Sequence, residues 1–136
     1  MAVVLIILLS AFYAQVQHGD DLIKFKADSY VQFKFAGEYI KENSDPDDKI
    51  ISTGEPQLTY YSERKVIYWP DEEDLDKFIE ENKDVKFIIL SSLEQSPPFT
   101  YAWPEKNKDK IEPVQLYFAD EEQTRPLVVV YKVLDR

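Results

Sequence analysis

The chain has no cysteine, one histidine and three glycines among its 136 residues. Without cysteine there are no disulfides, no thiolate metal sites, no thiol nucleophile and no iron-sulfur or haem ligation through sulfur. The redox compartment is therefore left open. The glycines, Gly19, Gly37 and Gly54, stand in neither GxGxxG nor GxxxxGK spacing, so no glycine-rich phosphate loop can form. A Ser-His-Asp relay would have to use His18, which sits on the flank of an apolar run and reads as an interfacial or exposed side chain. Basic residues are also scarce: 16 against 26 acidic ones give a net charge of -10. That field repels phosphates, so electrostatically driven nucleic-acid binding is excluded. What is present is a globular composition, 44% hydrophobic and 14% aromatic, sized for one ordinary domain.

Charge is missing altogether from Met1 to Gly19, and Ala2 to Ala14 (AVVLIILLSAFYA) is apolar apart from Ser10 and the Tyr13 hydroxyl. As a helix those residues span roughly 20 Å, short of the roughly 30 Å hydrocarbon core. Three readings follow. A signal peptide lacks the basic start and would place Phe12 where a small residue is wanted. A buried core helix lacks a polar stripe. The preferred reading is the exit half of a transmembrane helix that begins outside this chain, with Tyr13, Gln15, Gln17 and His18 at the interface. Residues 1-19 then form one segment and residues 20-136 a single soluble α/β domain.

Past this run, Leu22 to Lys26 (LIKFK) alternates and reads as a short strand or extended lead-in. Ala27 to Asn43 reads as a helix capped by Asp28 or Ser29, with Tyr30, Phe33, Ala36, Gly37 and Ile40 on one apolar row and Val31, Phe35 and Tyr39 on a second. The SDPDD turn (Ser44 to Asp48) stops it. Strands are expected at Lys49 to Thr53, Lys65 to Trp69 and Val85 to Ser91, separated by helices at Glu55 to Glu63 and from the acidic run Asp71 to Asp74 to Asn82. The alternation predicts parallel crossovers. Ser96 to Lys110 reads as loop or broken helix. Val114 to Ala119 and Leu127 to Val133 read as an antiparallel hairpin, because Asp120 to Pro126 is too short for a crossover. The expected fold is a small layered, Rossmann-like α/β sheet with about three parallel strands and an antiparallel edge hairpin, preceded by an apolar membrane-type helix.

The acidic groups Asp45, Asp47, Asp48 and Asp71, Glu72, Glu73, Asp74 are explained by a turn and by a helix start. The first fails the calcium-loop template, with Ile50 at the glycine position and Pro56 at the bidentate one. No metal or other cofactor is expected. The most suggestive patch is Thr53, Gly54, Tyr60, Tyr61, Arg64 and Trp69. Thr53 and Gly54 follow the first parallel strand, where open sheets gather ligands, and Tyr, Arg and Trp are enriched in energetic contacts. The alternative is that a tyrosine packs in the core and Arg64 pairs with an acid.

The order of segments, an apolar exit helix, then SYVQFKFAGEYIKENSDPDDKIIS (Ser29 to Ser52), then LTYYSERKVIYWP (Leu58 to Pro70), then VKFIILS, resembles the soluble C-terminal domain of GT-C membrane glycosyltransferases. It is similar to the dolichyl-phosphate-mannose protein mannosyltransferases and related enzymes over roughly Val3 to Ser91. The resemblance implies a non-catalytic, outward-facing domain beside the membrane, held there through residues 1-19. Its partners would be the rest of the membrane enzyme and a polyprenyl-phosphate sugar or glycan acceptor. That family's catalytic carboxylates lie in a loop with no counterpart here. A free-standing secreted or membrane-anchored binding module is the competing class.

Because the segments after Ala27 carry their own apolar faces, a truncation lacking residues 1-19 is expected to keep a cooperative thermal transition. Its loss in a calorimetric scan would refute a self-sufficient α/β core.

Overall fold

The computed structural model describes residues 2-119 and 122-134, with side chains described outside 2-9, 11, 14 and 20-29. Two compact units are distinguished, Met1–Val31 and Gln32–Arg136. The helix α1 runs from Ala2–Glu42 without a break. The short strand expected at Leu22 to Lys26 is thus helical, and no N-cap exists at Asp28 or Ser29. The physical reason is that no residue between Gly19 and Pro46 breaks a helix, and an interior glycine such as Gly19 costs only about 1 kcal/mol. Five alternating residues are also compatible with a helix when both flanks are helical. Among the described residues no helix is long and apolar enough to cross a membrane. The apolar residues 2-9, on which the membrane-helix expectation chiefly rests, lie outside the described side chains.

In the second unit β1 (Lys49–Ile51), α2 (Glu55–Ser62), β2 (Lys65–Ile67), α3 (Leu75–Glu81) and β3 (Val85–Ser91) follow in the expected order. A 3-10 turn (Pro98–Tyr101), a one-turn α4 (Trp103–Lys106), β4 (Ile111–Phe118) and β5 (Pro126–Val133) complete it. The five strands make one mixed sheet in the order β2-β1-β3-β5-β4. β1 is parallel to β2 and to β3, whereas β5 is antiparallel to both β3 and β4. The acidic run Asp71 to Asp74 forms a turn instead of the first helical turn, closed by the Asp74 amide on the Asp71 carbonyl (3.0 Å). Likewise Asp45 to Asp48 closes on itself, the Asp45 amide donating to Asp48 Oδ2 (2.8 Å).

Adjacent residues of a strand point to opposite faces, and both Ile50 and Ile51 are fully buried, so the sheet is covered on both sides. One cluster joins Ile51, Ile88 and Leu90 of the sheet to Leu75 and Ile79 of α3, with Trp69, Trp103 and Ile111. The opposite set, Ile50, Phe87, Ile89, Val128 and Val130, is buried together with Phe33, Ala36 and Ile40 of α1 and Leu58 of α2. The second apolar row expected on α1 is not buried. Phe35 is 46% exposed and stacks on Tyr117 (centroids 6.3 Å), while Val31 and Tyr39 are no more than partly covered. The buried stripe is narrow because α1 meets α2 at Gly37: a Cβ there would stand 2.6 Å from Tyr61 Cβ and 3.1 Å from the Ser62 amide nitrogen.

That approach is a test of packing against propensity. Gly37→Ala gains about 1 kcal/mol of helix propensity but forces two backbones apart, which costs about 1 to 3 kcal/mol. The expected outcome is a net loss of up to about 2 kcal/mol in a denaturant midpoint. Gly19→Ala, with nothing within 4 Å of the new methyl, is expected only to raise helicity by circular dichroism.

Candidate functional site

In an open α/β sheet the ligand crevice lies outside the carboxyl ends of the strands, where strand order reverses. Here that place is between β1 and β3, and the residues leaving those strands are Ser52, Thr53, Gly54 and Ser91 to Ser96. The chain itself fills it. Thr53 Oγ1 and Ser96 Oγ share a hydrogen bond (3.1 Å), and the Ser91 hydroxyl accepts from the Leu93 amide (2.9 Å). Tyr101 donates its hydroxyl to the Ser91 carbonyl (3.3 Å), and Phe99 sets its ring edge-on to Trp69 (6.3 Å, 90°). The segment after β3 is therefore tied to the ends of β1, β2 and β3 at once. From the other side, the buried Phe33 ring lies against Gly54, where a Cβ would come within 2.7 Å of it. Gly54 is the N-cap of α2. The approach a phosphate would need to the first turn of that helix is taken by an aromatic ring.

The six residues singled out in the sequence do not form one surface. Thr53 and Gly54 lie at the carboxyl end of β1, engaged as described. Tyr60 and Tyr61 sit in the last turn of α2 as an edge-to-face pair (5.0 Å), Tyr60 76% exposed and Tyr61 packed beside Gly37. Trp69 is 5% exposed and belongs to the core on the α3 face, its Nε1 without an acceptor among the described residues. Arg64 is 7% exposed and forms no ion pair with an acid among the described residues. Its Nε donates to Ser44 Oγ (2.9 Å). Nη1 donates to the carbonyls of Ser62 (3.2 Å) and Glu63 (3.3 Å). Nη2 donates to those of Lys41 (3.1 Å) and Ser44 (2.9 Å). Five donors meet five acceptors, four of them carbonyls at the carboxyl ends of α1 and α2, where the helix dipoles are negative. The guanidinium is a structural cation with no donor left for a ligand.

Glu63 closes α2 in the left-handed region (φ 55°), and its Oε1 accepts from Lys41 Nζ (2.6 Å). That hydrogen bond, then the Lys41 charge, holds its carboxyl below the ordinary value of 4.5. The pair's contribution is therefore present above pH 4.5 and is lost as pH falls through the lowered value.

The amino end of the sheet is less filled. A cavity of about 100 Å³ lies between α3 and the ends of β3, β4 and β5, floored by Ile79, Val85, Val133 and Leu134 and rimmed by Asp76, Glu80, Lys83, Lys86 and Lys110. Asp76 organises it: Oδ1 accepts from Trp103 Nε1 (3.1 Å) and Oδ2 from Lys110 Nζ (2.6 Å). Nothing in the sequence reading pointed here. The available signal was the set of lysines at strand starts, Lys83 and Lys86 around the beginning of β3 and Lys110 just before β4. Among the described residues no group of three or more His, Cys, Asp or Glu is placed to hold a metal ion.

Comparison with known proteins adds no relative: no family model matches the chain, and no curated protein or solved structure matches it.

The Arg64 geometry predicts a sharp substitution pattern. Arg64→Ala is expected to cost about 3 kcal/mol, since it strands one buried and three part-buried carbonyls. Arg64→Lys should recover little, because one ammonium cannot span both helix ends. Equal unfolding midpoints for wild type and Arg64→Ala would instead return Arg64 to the surface as a contact residue.

Proposed function

We propose that this chain is a non-catalytic, outward-facing, membrane-proximal domain of an integral-membrane glycosyltransferase of the GT-C type, one that uses a polyprenyl-phosphate-linked sugar. The observation that carries this reading is the continuity of α1. One helix starts in an uncharged, apolar sequence and ends with Phe33, Ala36 and Ile40 in the core of the α/β unit, without a loop between. Such a helix suits a domain that follows directly on a membrane segment. A tethered binding module would more naturally carry a polar linker after its anchor.

The finer fold reading belongs with this proposal. Strand order β2-β1-β3 with parallel pairing is that of Rossmann-like sheets. The filled carboxyl-end crevice favours a supporting domain over an enzyme that inherits the usual nucleotide site of such sheets. The segment resemblance, from EYIKEN through the acidic turn to YYSER, supplies the family. The sugar donor or acceptor would then be met by the membrane part of the enzyme, with this domain beside it on the extracytoplasmic side.

The test is the native polypeptide. An antibody against residues 32-136, applied to fractionated cells, is expected to find the antigen in the carbonate-resistant membrane fraction on a polypeptide several times heavier than 16.0 kDa. An antigen of 16.0 kDa or less, or one released into the soluble fraction, overturns the reading in favour of a free-standing module.

A further inference from the structure

The cavity at the amino end of the sheet has a composition that selects for a ligand, independently of any membrane context. Its floor is aliphatic, made by Ile79, Val85, Val133 and Leu134. Three lysines and two acids line it, an excess of one positive charge in a chain whose net charge is -10. The acids are also spoken for. Asp76 has each carboxylate oxygen engaged, one by Trp103 and one by Lys110, and Glu80 and Lys86 each have an interaction of their own. What remains open is the ammonium of Lys83, which makes no hydrogen bond or ion pair among the described residues, and the further hydrogens of Lys110. Lys110 is fixed across the cavity by Asp76 and its side chain is only 19% exposed, so water screens it less than a surface lysine.

We propose that this cavity binds a short-chain aliphatic carboxylate, its tail on the Ile79, Val85, Val133 and Leu134 floor and its carboxylate received by Lys83 and Lys110. Volume sets the class: about 100 Å³ suits a tail of a few carbons. Chemistry sets the head. A cation fixed beside an apolar floor favours an anion that carries its own apolar surface over a fully hydrated inorganic one. This inference does not rest on the glycosyltransferase reading, and a soluble or a membrane parent leaves it unchanged.

The experiment is a nuclear magnetic resonance titration of the full isotope-labelled chain, in a neutral maltoside detergent, with isovalerate as probe. Inorganic phosphate serves as the head-only control and isobutanol as the tail-only control. Isovalerate is expected to shift the amides of Val85, Lys86, Val133 and Leu134 saturably, with a midpoint on the order of millimolar, as befits so small a ligand. Phosphate and isobutanol are expected not to saturate those amides over the same range. Lys83→Gln, at an exposed and unpartnered side chain, is expected to weaken isovalerate at least about five-fold with an unchanged melting temperature. Leu134→Gln should weaken it by polarising the floor. Absence of saturation at tens of millimolar, equal saturation by phosphate or isobutanol, or unaltered affinity in a folded Lys83→Gln variant would each overturn the proposal.

Discussion

A buried cation, Arg64, sets the arrangement of one layer of this protein. Placing a guanidinium in the interior is unfavourable unless each of its donors is met. Here one is met by the Ser44 hydroxyl and the others by carbonyls at the carboxyl ends of α1 and α2, the groups that every helix leaves unpaired there. The bond set works in both directions. It neutralises the charge with two helix dipoles, and it satisfies the last carbonyls of α1 and α2 without solvent. It also fixes distances, since Lys41, Ser44, Ser62 and Glu63 must converge on one planar group. With the two carboxyl ends pinned, α1 and α2 come close enough that only glycine fits at position 37. The left-handed Glu63 follows from the same constraint. Such a conformation is costly for a residue with a side chain, but it delivers the Glu63 carbonyl to Arg64 and the carboxylate to Lys41.

The consequence for function runs through Phe33. Once α1 is held against α2, the helix passes over the N-cap of α2 and lays a buried aromatic ring on Gly54. On the far side, Thr53 to Ser96 and Trp69 to Phe99 bring the segment after β3 over the same strand ends. A sheet of this topology ordinarily keeps its carboxyl ends for ligands. In this chain the crevice between β1 and β3 is given to internal packing, and a cavity lined by lysines lies at the amino ends of β3 and β4.

Much of the architecture could be read from local pattern, because its elements are short and their signals lie within them. Val85 to Ser91 holds an unbroken apolar run from Phe87 to Leu90, as suits a strand buried on both faces, and its bounds match. Asp120 to Pro126 was too short for a crossover, which sufficed to make β4 and β5 antiparallel. Continuity of α1 was not legible: LIKFK alternates like a strand, and helicity there is decided by flanking turns that propagate through it. Of the site, Thr53 was correctly placed at a strand end. The role of Arg64 was hidden because four of its five acceptors are backbone carbonyls, which carry no residue signature. Trp69 illustrates the opposite error, a residue type common at interfaces that serves here as core. The Asp76, Trp103 and Lys110 group joins positions up to 34 apart in sequence, and only the packing of α3 against α4 and β4 brings them together.

The sheet edges bear on how such a domain meets a partner. β2 offers an edge of only three residues, soon followed by Pro70. β4 is longer, but it carries Pro113 and two register irregularities, at Pro113/Gln115 and Tyr117/Phe118. Proline removes a donor and bulges twist the ladder, so neither edge is a good template for an added strand. Recognition by side chains is left, and exposed aromatic surface is available for it at the α1 to β4 seam. There Tyr117 stacks on Phe35 and donates its hydroxyl to the Phe35 carbonyl (3.1 Å). Burial, followed by the proximity of Tyr39 and Glu38, raises the pKa of Tyr117 above 10.0. The phenol therefore stays protonated and keeps donating across the ordinary pH range, so the seam is held by a bond that does not titrate away while the Phe35 ring remains half-exposed beside it.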